Sequence, residues 1–163
     1  MDEEYELDTL LDIILDYVDV NQKEYAKKWI DCLFAHFDMQ TLPETNQRLR
    51  DVLCDYYSTF NKPKLAIPYL NMTLNEFPYS VQHWNELGKC YLQQEQYEKA
   101  HEAFDFALAI DENNTETLTL KAFLYSQTAN IKESINYYLR LEKATEKKPV
   151  SYTHLTLPTI CSV

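Results

Sequence analysis

The chain has 163 residues, of which 45% are hydrophobic and 13% aromatic, enough apolar surface for a packed core and too much for a disordered segment. Its formal charge is −11, from 26 acids against 15 bases, so nucleic-acid phosphates and anionic membrane surfaces would be repelled. A single glycine disfavours hairpin-rich β folds and phosphate-cradling loops, which need positive φ, and the expected fold is all-α.

Residues 1–6 form an acidic lead. The first twenty residues hold eight acids and no Lys or Arg, so they lack the basic segment of a secretory leader. No apolar run approaches membrane-spanning length. Cys32, Cys54, Cys90 and Cys161 form no CxxC or Cys/His ligand spacing, which reads as reduced thiols in a cytoplasm.

From residue 7 apolar residues recur at three- and four-residue spacing, the period of amphipathic helices. Residues 7–40 place Leu10, Ile13 and Tyr17 on a first helix, Ala26 and Ile30 on a second. Asp8, Asp12, Asp16 and Asp19 make one acidic stripe on the first helix. "TLPETN", residues 41–46, reads as an inserted loop. Residues 47–80 repeat the pattern with Leu53, Cys54, Tyr57, Ala66 and Pro78. Cys54 reads as a small packing residue there. Pro63 suits the start of a second helix, whereas Pro68 lies inside it and should kink it locally.

The next stretch, "WNELGKCYLQQEQYEKAHEAFDFALAIDENN", carries W-x2-L-G-x2-Y followed by A-x3-F-x2-A on Trp84, Leu87, Gly88, Tyr91, Ala100, Phe104 and Ala107. This pattern is the standing signature of the 34-residue tetratricopeptide repeat, and residues 81–114 closely resemble one. Only Glu112 departs, where the family prefers Pro. Residues 115–148 give a degenerate copy with Ala122, Tyr125, Ser134 and Tyr138. Two series tie the copies together: Tyr17, Tyr57, Tyr91, Tyr125 and Ala26, Ala66, Ala100, Ser134 share steps of 40, 34 and 34 residues. Gly88, a poor helix former, is expected where two helix backbones approach.

The resemblance implies an α-α superhelix, a solenoid of antiparallel helix pairs, with four copies at 7–40, 47–80, 81–114 and 115–148. It further implies a concave groove lined by the first helix of each pair. The corresponding positions carry Asp8, Asp12 and Asp19, then Asp51 and Asp55. They continue with Gln82, Asn85, Glu86, Lys89 and Gln93, and end at Phe123. Such a groove, most acidic at its N-terminal end, suits a protein or peptide segment bearing Lys or Arg. Tetratricopeptide modules that clamp a chaperone carboxylate use Lys and Asn at set positions; Asn85 and Lys89 stand in the opposite order, among acids.

Enzyme signatures are missing: no GxSxG, phosphate loop or HExxH occurs, and no catalytic residue, cofactor or metal site is expected. His101, Glu102 and Asp105 lie close in sequence but read as a solvated helix face; His36 and His83 have no spaced partners. The expected function is an interaction scaffold that binds protein, with neither nucleic acid nor membrane as a partner. The alternative is a regulatory N-terminal region of a longer enzyme or signalling protein.

The ending "PVSYTHLTLPTICSV", residues 149–163, breaks the pattern with two Pro, several β-branched residues and no helical period. "VSYTHLTLPT" resembles a translated transposase-type sequencing adapter, GTC TCT TAT ACA CAT CTG ACG CTG CCG ACG, followed by index bases and GTG TAG. The expectation is a native chain that continues past Lys148. A last repeat left uncapped should expose apolar surface and self-associate.

Overall fold

The computed structural model describes residues 6–146, so most of the acidic lead, the last residues of the fourth copy and the whole 149–163 ending lie outside the described residues. Among the described residues the chain is helical, without strands. The helices are α1 (Leu7–Asp19), α2 (Lys23–His36), α3 (Leu42–Thr45), α4 (Gln47–Thr59), α5 (Pro63–Glu76), α6 (Val81–Gln93), α7 (Tyr97–Ile110), α8 (Thr115–Gln127) and α9 (Ile131–Glu146). They form two compact units, the first ending at Glu112 and the second beginning at Asn113.

The first unit holds three helical hairpins, α1/α2, α4/α5 and α6/α7, with α1 also packed on α4 and α5 on α6. One core runs through them, from Leu10, Leu11 and Ile14 on α1 through Leu49 and Leu53 on α4 to Leu70 on α5 and Ala103 on α7. The second unit is the hairpin α8/α9, built around Leu118, Ala122 and Leu124.

Each hairpin turns in the same way. Asn21, Asn61, Glu95 and Ala129 adopt φ of 55°, 56°, 58° and 57°, the left-handed region, directly after the first helix. The next residue donates its N–H back to a tyrosine carbonyl: Gln22 to Tyr17 at 2.8 Å, Lys62 to Tyr57 at 2.7 Å, Gln96 to Tyr91 at 2.9 Å, Asn130 to Tyr125 at 3.0 Å. The left-handed residue donates one turn in, as Asn21 does to Val18 at 2.9 Å and Glu95 to Leu92 at 3.0 Å. The two bonds together are a Schellman cap, which satisfies carbonyls that the helix end would leave open. Scarcity of glycine therefore does not remove positive φ from this chain; Asn, Glu and Ala carry it.

The tyrosine side chains meet the second helix of each hairpin. Tyr17 stacks on Tyr25 with centroids 5.4 Å apart, Tyr57 on Tyr69 at 6.2 Å and Tyr125 on Tyr137 at 5.4 Å. Tyr91 instead lies under the Lys99 ammonium, 5.5 Å from the ring centroid.

One expectation needs correction. Residues 41–46 are not plain loop: α3 makes one helical turn with Pro43 buried, and Asn46 then caps α4 by accepting from the Leu49 N–H at 2.9 Å. Pro68 lies inside α5, which runs from Pro63 to Glu76, and its ring is exposed.

Candidate functional site

The first helices of the three N-terminal hairpins bring their acids together. Asp55, on α4, has its carboxyl raised above the usual range, chiefly by burial and then by the charges of Glu86, Asp51 and Asp19, with His83 opposing. Carboxylates from α1, α4 and α6 thus share one electrostatic neighbourhood. His83 borders it: Nε2 lies 3.3 Å from Asp51 Oδ1, and Nδ1 lies 2.6 Å from Ser80 Oγ. Lys89 donates to Glu86 at 2.8 Å. The cluster remains acid-rich after these pairings.

Other expected groove residues are placed differently. Asp8 and Asp12 are both held by Arg48 from α4, Asp8 at 2.8 Å. The N-terminal end is therefore less acidic than the expected groove residues alone implied, because Arg48, which holds in the second copy the position of Asp8 in the first, pairs with both acids. Asn85 is 1% exposed and offers no groove surface. Gln82 and Gln93 are exposed on α6. Phe123 belongs to the second unit, where it is 45% exposed.

The repeat-signature residues form the frame beneath. Leu87, Ala100, Phe104 and Ala107 are buried, and Tyr57, Ala66 and Ala122 are buried at their own places. Trp84 is half-buried; its indole N–H donates to the Pro78 carbonyl at 2.8 Å and its ring stacks on Phe106 with centroids 4.6 Å apart. Gly88 faces the ring of Phe104 rather than a helix backbone, so the close approach is side chain onto backbone.

The sequence reading missed Arg50. It is 1% exposed, yet its guanidinium donates to Thr73 Oγ1 at 3.0 Å, to the carbonyls of Pro43 at 2.9 Å and Glu44 at 3.2 Å, and to the Glu76 carboxylate. One side chain fastens α3, α4 and α5 together. Arg50 sits at the repeat position that Trp84 fills in the next hairpin, and both donate to a carbonyl of the preceding connection.

Neither thiol near the cluster is activated. Cys54 is buried, its thiol pushed up mainly by burial and then by Asp51 and Asp55. Burial likewise pushes the Cys90 thiol to about 11, with Glu86 adding to it. Among the described residues no three His, Cys, Asp or Glu side chains are placed to hold a metal ion. No helix among them is long and apolar enough to cross a membrane.

Paired helices with recurring caps, recurring small packing residues and first-helix side chains gathered on one face define a helical-repeat protein. Residues 81–114 match the tetratricopeptide repeat family model. A stretch of 57 residues, 35% of this chain, is 39% identical to the general transcriptional corepressor ssn6 of Schizosaccharomyces pombe, of which it spans 5%. Among solved structures, MamA MSR-1 superposes with a TM-score of 0.75 at 18% identity, covering 90% of this chain and 80% of that one. MamA 41-end from Desulfovibrio magneticus RS-1 gives 0.76 at 16% identity, with the same shares covered. Residues 81–114 thus form a tetratricopeptide repeat, within an all-α helical-repeat fold.

Proposed function

We propose that the protein is an interaction scaffold whose acidic cluster on α1, α4 and α6 binds a protein segment bearing Lys or Arg. The observation that carries this reading is the gathering of Asp19, Asp51, Asp55 and Glu86 from α1, α4 and α6 in one neighbourhood, where the other three raise the Asp55 carboxyl. Keeping like charges together destabilises a fold, so their retention suits a surface that meets a cation. The tetratricopeptide repeat matched at residues 81–114 supports a protein as the partner class.

The test is titration of a short Lys/Arg peptide library into the chain and into an Asp51→Asn, Asp55→Asn variant. Binding of a hit should weaken by roughly tenfold or more in the variant and lose most of its salt dependence. A hit whose affinity and salt dependence are unchanged would overturn the reading.

A further inference from the structure

The second unit carries an exposed apolar stripe on α9. Ile131, Ile135, Tyr138 and Leu139, at i, i+4, i+7 and i+8 along α9, are 68%, 53%, 48% and 50% exposed. That spacing is one helix face, and it edges a groove of about 430 Å³ together with Leu141. Leu70 holds on α5 the repeat position that Tyr138 holds on α9 and is 0% exposed, whereas Tyr138 is 48% exposed. An apolar stripe left open along one helix face marks a contact surface.

We propose that α9 is the contact surface of a homodimer, the stripe of one copy lying antiparallel on that of a second. Two observations favour a second copy. The chain as a whole carries −11, so most of its surface repels another copy, whereas on α9 Lys132, Arg140 and Lys143 balance Glu133, Glu142 and Glu146. A head-to-tail contact would instead set α9 against the acid-rich α1, where Asp12, Asp16 and Asp19 are exposed. A self-complementary face gives a closed pair, and the antiparallel arrangement sets the helix dipoles head to tail. Four side chains make a small interface, so the dimer is weak.

Sedimentation velocity on the whole 163-residue chain, from roughly 1 µM to a few hundred µM, tests this. The expected result is a monomer–dimer equilibrium. Leu139→Glu and Ile135→Glu should each weaken it by about tenfold or more, with unchanged far-ultraviolet circular dichroism. Phe106→Glu, an exposed aromatic on α7, should leave it unaltered. If a variant loses helicity, Ile131→Glu at the most exposed stripe position replaces it. A chain that stays monomeric throughout overturns the proposal and leaves a foreign amphipathic helix as the stripe's occupant. A dimer that survives every α9 variant, or that Phe106→Glu also removes, overturns it as well.

Discussion

A Cβ added to Gly88 would lie 2.6 Å from Cδ1 of Phe104 and would clash with Cε1 of the same ring. Phe104 is 0% exposed, so its ring has no free space to move into. Overpacking of this kind costs about 1–3 kcal/mol, against a helix-propensity gain of about 1 kcal/mol for replacing Gly. Gly88→Ala should lower stability by about 1–2 kcal/mol in urea denaturation, and Phe104→Leu in the same chain should recover part of the loss. Full stability in Gly88→Ala alone would show that the ring is not confined.

The left-handed turns differ in how well their residues suit them. Asn tolerates that region, while for Ala and Glu the Cβ clash costs about 1–2 kcal/mol. Glu95→Gly and Ala129→Gly should therefore stabilise the fold by about 0.5–1 kcal/mol each, after the entropy that Gly adds to the unfolded chain. Asn61→Gly should change little. Thermal midpoints of the three variants check the order, and a loss in Ala129→Gly would count against the cap geometry.

Arg50→Ala should be among the most damaging single changes, at about 3–5 kcal/mol. It strands the Pro43 and Glu44 carbonyls and Thr73 Oγ1, and it empties a buried site. Arg50→Lys should recover little, because one ammonium cannot span partners that the planar guanidinium meets in several directions. Denaturant midpoints decide it; a Lys variant matching the parent would mean that charge alone suffices.

Asp55 fixes a pH dependence. Its folded-state carboxyl is raised, by burial first and then by Glu86, Asp51 and Asp19, so its charged form is disfavoured in the fold. The penalty is present in full above the raised folded value and vanishes below the ordinary Asp value of about 3.9, where both states bind the proton. Asp55→Asn should therefore be more stable than the parent at pH 7, with the difference closing as the medium is acidified through that range. A variant less stable at pH 7 would reverse the sign and remove the crowding argument.

Much of this was legible in the residues, because the repeat repeats its physics. The Tyr17, Tyr57, Tyr91, Tyr125 series has the right spacing because each ring meets the second helix of its own hairpin. Trp84, Gly88 and Phe104 were legible for a similar reason: burial and close approach leave few acceptable side chains. The left-handed turns were not, since Glu95 and Ala129 are residues that positive φ does not select. Nor was the role of Arg50, because its partners come from 7, 6, 23 and 26 residues away and all four lie in α3 and α5. Arg48 reaches Asp8 and Asp12 across 40 and 36 residues, and its pairing with Asp8 joins equivalent positions one repeat step apart.

Arg50 and Trp84 hold one repeat position and both reach back to a proline carbonyl, at 2.9 Å and 2.8 Å. What is preserved there is a donor aimed at the incoming strand of connection, and a cation serves as well as an indole. Any scoring of this position by residue type alone treats the second hairpin as a poor copy, although it performs the same fastening. Comparison of tetratricopeptide arrays by donor geometry should bring such hairpins back into register with their neighbours.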